Sequence, residues 1–230
     1  MAKSKKTQEG GIEGIEETLS RSEQFIEKNQ KTLTIILFVI IVIVGGYIGY
    51  KKLYLNPMKE EAYSQMYAAE QYFEVDSFYY ALNGDGNMPG FLDILDEYGG
   101  TEAANLANYY AGICYLNTGE YSQALEYLKK FTTDDKMLKP VTIGAIGDAH
   151  MEMGDTELAI EQYLKASDTN ENELLTPFYR MKIGRAYEAM GDYAKALEHY
   201  EYIKKHYKNT NEGRTIDKYI TQVKMKGGLE

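Results

Sequence analysis

The chain has 230 residues, 44% hydrophobic and 26% charged, with a formal net charge of −10 and a pI near 5.0. Once an N-terminal arm and an apolar run are set aside, that length holds one moderate core, and the acidic balance argues against a nucleic-acid partner because it repels phosphate backbones. One cysteine, Cys114, excludes an internal disulfide and a multi-cysteine zinc site.

Residues 1–31 form the arm. Its cations, Lys3, Lys5, Lys6, Arg21, Lys28 and Lys31, are matched by Glu9, Glu13, Glu16, Glu17, Glu23 and Glu27, so the excess acid lies further along the chain. Ile12, Ile15, Leu19, Ser22 and Ile26 recur at heptad-like spacing with Phe25 beside them, which predicts an amphipathic helix that lies on a membrane surface or meets a partner helix.

Residues 32–50, TLTIILFVIIVIVGGYIGY, carry no charge and sit between Lys28 and Lys31 on one side and Lys51 and Lys52 on the other. As a helix at about 1.5 Å per residue this run matches the roughly 30 Å hydrocarbon core, so a single transmembrane signal anchor is expected. Tyr47, Tyr50 and Tyr54 supply interfacial aromatics. A cleaved signal peptide fits poorly, because the preceding region is long and glutamate-rich and no small-x-small site follows Gly49. The basic start MAKSKK favours the N-terminus inside. Gly45 and Gly49 form a G-x-x-x-G pair that would let another transmembrane helix pack closely, although incidental glycines are the simpler reading.

Beyond the span, residues 57–104 read as a divergent helical hairpin: Ala62, Met66, Ala69, Tyr72 and Phe73 give one helical face, and 91–98 a short second helix. Between them NGDGNMPG (83–90) begins like a calcium loop but lacks the later bidentate glutamate, so a structured turn is expected.

Three segments then superimpose: GICYLNTGEYSQALEYLKKF from Gly112, GDAHMEMGDTELAIEQYLKA from Gly147 and GRAYEAMGDYAKALEHYEYI from Gly184. Gly112, Gly147 and Gly184 suit a close helix crossing, to which Ala124, Ala159 and Ala196 of the following helix are expected to contribute. Gly119-Glu120, Gly154-Asp155 and Gly191-Asp192 end one helix with a left-handed residue and open the next with an acid near its N-terminal dipole. A last helix over 213–226, with Ile216, Tyr219, Ile220 and Val223 on one face, would cap the array within a 208–230 segment.

No phosphate loop, nucleophile elbow or HExxH motif is present, and His150, His199 and His206 are not at ligand spacing; no enzyme activity, metal or cofactor is expected.

The three segments, spanning residues 105–207, resemble tetratricopeptide repeats (TPRs), which place Gly112, Tyr115, Gly119, Tyr121 and Ala124 in the first copy and Gly184, Tyr187, Gly191, Tyr193 and Ala196 in the third. The middle copy departs, with His150 and Thr156 at ring positions, and the spacings of 35 (147 minus 112) and 37 (184 minus 147) exceed the period of about 34. The resemblance implies an all-α, TPR-type superhelix preceded by one transmembrane helix. It also implies a protein-binding groove on the first helix of each hairpin, at Tyr109, Ile113, Leu116, Asp148, Met151, Met181, Lys182, Arg185 and Glu188. These residues are mixed apolar and acidic, with Lys182 and Arg185 the only cations among them, and do not match the basic clamp with which some family members grip carboxylate termini.

The order of arm, anchor and repeats is also similar to the YfgM-like family of Sec translocon accessory proteins in Gram-negative envelopes. That likeness implies an inner-membrane protein with its repeats in the periplasm. Its expected partners are the translocon, periplasmic chaperones or nascent envelope proteins, held in a chaperone-like manner. A structural scaffold or assembly factor of an envelope complex, self-associating as a homo-oligomer through Gly45 and Gly49, is the alternative.

Overall fold

In a computed structural model of the chain, the backbone is described for residues 5–230 and the side chains for 25–230. Ile12, Ile15, Leu19 and Ser22 of the expected amphipathic face therefore lie outside the described side chains. All described elements are helical, and the chain divides into two units, Met1–Pro57 and Met58–Glu230.

In the first unit, arm and apolar run are not separate elements: one helix, α1, spans Lys5–Tyr50. A five-residue π-helical turn follows at Lys51–Leu55, closed by the Asn56 N–H donating to the Lys51 carbonyl. Ile35 to Val44 are all exposed, so nothing among the described residues covers them. Among the described residues this is the one helix long and apolar enough to cross a membrane.

The second unit starts with α2 (Asn56–Glu74), whose Ala62, Met66 and Ala69 are buried at the expected helical spacing. The expected two-helix hairpin is instead three helices, because α3 (Phe78–Asn83) and α4 (Phe91–Glu97) divide the return limb. Gly84 forces the division: its φ is +71°, and a Cβ there would collide with the Met88 carbonyl. Asp85 completes the intervening turn by accepting hydrogen bonds from the backbone N–H of Asn87 and Met88 and from the Tyr72 hydroxyl, each at 2.8 Å. Phe91 then stacks on Tyr110 at 4.9 Å, which joins this region to the next helix, Glu102–Thr118.

Three hairpins follow: α5 (Glu102–Thr118) with α6 (Tyr121–Lys130), α7 (Leu138–Glu152) with α8 (Thr156–Thr169), and α9 (Leu175–Ala189) with α10 (Tyr193–His206). Their turns are the same structure three times. Gly119, Gly154 and Gly191 have φ of +83°, +84° and +78°. The next residue's N–H donates across the turn at 2.9 Å in each copy, Glu120 to Tyr115, Asp155 to His150 and Asp192 to Tyr187. This is a Schellman closure, which satisfies carbonyls that the helix end leaves open. Of the three acids, Asp192 also caps its helix, accepting from the Lys195 N–H at 3.1 Å.

The small positions act as expected, but their principal contact is a different residue. A Cβ on Gly112 would lie 2.5 Å from Leu128, one on Gly147 would lie 2.7 Å from Tyr163, and one on Gly184 would overlap Tyr200. In each copy the intruding side chain stands sixteen residues after the glycine (128 minus 112, 163 minus 147, 200 minus 184). The alanines four residues earlier are fully buried beside it, and Ala159 contributes only its carbonyl to the Gly147 surroundings. The glycine thus seats a large side chain of the second helix rather than a small one.

The lengthened linkers carry the caps of the next hairpins. Asp135 accepts from the N–H groups of Met137 and Leu138, and Asn172 from those of Leu174 and Leu175, at 2.8–2.9 Å. The last helix, α11 (Asn211–Gly227), buries Ile216, Ile220 and Val223 against Tyr200 and Ile203 of α10.

Candidate protein-binding groove

The first helices of the hairpins, α5, α7 and α9, share a cleft of about 460 Å³. Leu116, Asp148, Met151 and Lys182 meet there, together with Asn117, Tyr121, Glu152 and Tyr163. A second hollow of about 270 Å³ brings Met181, Lys182 and Arg185 to Phe178 and to Tyr219 of α11. Tyr109, Ile113 and Glu188 line neither. The Tyr109 ring turns toward Phe131, 5.4 Å away between centroids, and burial pushes its hydroxyl pKa up. Met181 is only 7% exposed and packs largely into the core with Tyr200 and Ile203.

The charged groups of this face bond to neighbouring side chains. Asp148 accepts from the Tyr163 hydroxyl at 2.6 Å and pairs with Lys182 at 2.6 and 2.8 Å. Burial, then that hydrogen bond, raises the Tyr163 pKa, which keeps the phenol protonated and donating. Lys182 also lies over the Phe178 ring at 5.0 Å. Glu188 accepts from the Tyr200 hydroxyl at 2.7 Å, Gln222 at 3.2 Å and Lys226 at 3.3 Å. Arg185 donates to the Tyr219 hydroxyl at 3.1 Å. What remains for a ligand is the apolar and amphipathic surface of Leu116, Met151, Tyr121 and Phe178.

Tyr219 was not evident as a groove residue, although its register contained the signal. Lys182 follows Asp148, and Tyr219 follows Arg185, by 34 residues, one repeat length.

Two models described as tetratricopeptide repeat match the chain, at residues 145–208 and 106–135. Among solved structures, MamA is similar over 74% of this chain and 84% of its own, with 20% identity and a TM-score of 0.54. A putative kinesin light chain with nearly identical TPR-like repeats from Podosopora anserina covers 74% and 88%, at 14% identity and a TM-score of 0.57. At these identities the likeness is one of fold. No curated protein matches the chain. The chain carries tetratricopeptide repeats in a TPR-type superhelix, an architecture that offers extended surfaces to other proteins.

Proposed function

We propose that this is a membrane-anchored protein-interaction module, in which α1 spans the inner membrane of a bacterial envelope and the repeats hold client proteins beside it in the periplasm. The observation that carries the binding role is the groove itself: Asp148 and Lys182 are paired with each other, while Leu116, Met151 and Tyr121 are part-exposed along it. Support for the anchor comes from Ile35 to Val44, an exposed uncharged run within α1. Tethering raises the effective concentration of clients delivered at the membrane, so weak groove contacts suffice. The particular setting, as an accessory of the Sec translocon or of envelope protein biogenesis, rests on the order of arm, anchor and repeats.

This reading involves no catalysis. It is consistent with a sole cysteine, Cys114, that is buried and whose pKa burial pushes up to about 12, so that it holds almost no thiolate at neutral pH. Photo-crosslinkers at Leu116 and Met151 of the full chain in cells provide the test. Adducts with translocon components, periplasmic chaperones or emerging envelope proteins are expected, and adducts with cytosolic proteins alone reject the proposal.

The scaffold alternative draws on Gly45 and Gly49, where a Cβ would meet nothing within 4 Å among the described residues. If they seat a second copy, changing both to leucine abolishes crosslinked oligomers in detergent; unchanged oligomers exclude them.

A further inference from the structure

α7 serves two clefts. It turns Asp148 and Met151 toward α5 and α9, and it turns Ile143, Ile146 and His150 toward α6 and α8. The second of these clefts is the larger, at about 1020 Å³, and lies outside the groove described above.

Its neighbour one hairpin further on shows what closes such a space. Between α8 and α10, Arg180 donates to the Ser167 hydroxyl at 3.1 Å and to Asp168 at 3.0 Å, approaches His199 Nδ1 at 3.4 Å and stacks on Tyr202 at 4.5 Å. Moving back one hairpin, by 37 residues, replaces Arg180 with Ile143, His199 with Gln162 and Tyr202 with Lys165. The plug is gone, and an apolar floor of Ile143, Ile146 and Leu158 is left open; Leu158 is 45% exposed.

The rim has its own chemistry. Lys129, Lys139 and Lys165 stand against Asp134 and Glu161, a balance of three cations to two anions in a chain whose net charge is −10. Lys139 pairs with Asp134 at 3.3 Å. At the inner edge, Nδ1 of His150 is buried without a hydrogen bond and lies 3.6 Å from the Asp155 carboxylate.

We infer that the α6–α7–α8 cleft is a second docking site, taking an amphipathic segment of a partner protein whose apolar ridge fills the floor and whose carboxylates meet Lys129 and Lys165. Apolar burial supplies the affinity and the cationic rim selects acidic over basic segments. The site is separate from the groove of the proposed function, and either can fail alone.

A phage-displayed library of randomised twelve-residue peptides, selected on the full chain in detergent, tests this. Enriched peptides should combine leucine or isoleucine with aspartate or glutamate. Their binding should fall at least tenfold in Ile143→Arg, which installs the neighbour's plug, and severalfold in Lys165→Glu, while Met151→Ala in the other groove leaves it unchanged. Circular dichroism melts matching the parent show that Ile143→Arg is folded, and Lys165→Glu, an exposed change, gives the same information if it is not. The inference is overturned by enrichment of basic peptides, by no enrichment, or by binding that ignores both substitutions.

Discussion

Gly184→Ala separates two effects of opposite sign. Alanine is favoured over glycine inside a helix by about 1 kcal/mol, so propensity alone predicts a more stable chain. At this position the new methyl would overlap the ring of Tyr200, which is 0% exposed and fixed by its 2.7 Å hydrogen bond to Glu188. The ring cannot retreat without breaking that bond or displacing Ile203 and Ile216 in the same cluster. Overpacking of this kind costs about 1–3 kcal/mol and often more where the neighbour is rigid. Because the overlap is with a fully buried ring, the upper part of that range, about 2–3 kcal/mol, applies; packing wins and a net loss of about 1–2 kcal/mol is expected. For a unit of this size that lowers the melting temperature by roughly 2–8 °C. The assay is urea and thermal unfolding of the full chain in mild detergent, followed by near-ultraviolet circular dichroism of the tyrosines, since the chain has no tryptophan. Tyr200→Ala removes the ring that the new methyl would meet, so the double variant should cost less than the sum of the singles by about 1 kcal/mol. A stabilised Gly184→Ala, or strict additivity, would refute the packing argument.

Three further outcomes follow from individual groups. Asp148→Ala strips the acceptor from Tyr163 and Lys182 together and should cost about 2–3 kcal/mol, against about 1 kcal/mol for Lys182→Met; equal losses in urea titrations would show that the Tyr163 bond contributes nothing. Burial, and then the charge of Arg180, holds the His199 pKa below its usual 6.5, the nearby carboxylates of Glu198 and Asp168 opposing this. The unfolded chain therefore takes up the proton first, so this contribution is complete above about pH 6.5 and is lost as pH falls through that value toward the depressed one. His199→Gln, the residue that Gln162 supplies one hairpin earlier, should flatten stability between pH 7 and pH 5, and an unchanged slope would assign the effect elsewhere. Cys114 should react with iodoacetamide in urea and hardly at all in the native chain, as read by mass spectrometry; rapid native labelling would contradict its burial.

The hairpin array was legible because its signals are local. Gly119, Gly154 and Gly191 are followed by acids at a fixed register, and left-handed φ with a Schellman closure is what a glycine there accomplishes. The partner of Gly112, Gly147 and Gly184 was misread, since the alanines repeat more visibly than a position occupied by Leu128, Tyr163 and Tyr200. Only the packed structure shows that the variable residue fills the space. The divided return limb at 78–97 was missed for a related reason: the 83–90 turn was visible, but the short α3 before it has too few residues for a periodic face. Tyr109 and Glu188 share the spacing of groove residues, yet Phe131 and the α11 side chains draw them away, and spacing within one helix carries no information about its neighbours.

The bonds between successive hairpins give the array a gradient of rigidity. Asp148 to Lys182 joins α7 to α9, while Arg185 to Tyr219 and Glu188 to Gln222 and Lys226 join α9 to α11. At the α5–α7 step the registers of Asp148 and Glu188 are held by Ile113 and Leu116, which offer no charge to latch. That junction is held instead by apolar contacts of Leu116, Tyr121 and Ala124 with Ile146 and Ala149, and by the weaker 3.4 Å bond from Tyr121 to Glu152. Apolar contacts slide more readily than bidentate ionic ones, because they are non-directional. Adjustment to a bound partner is thus concentrated where α5 meets α7.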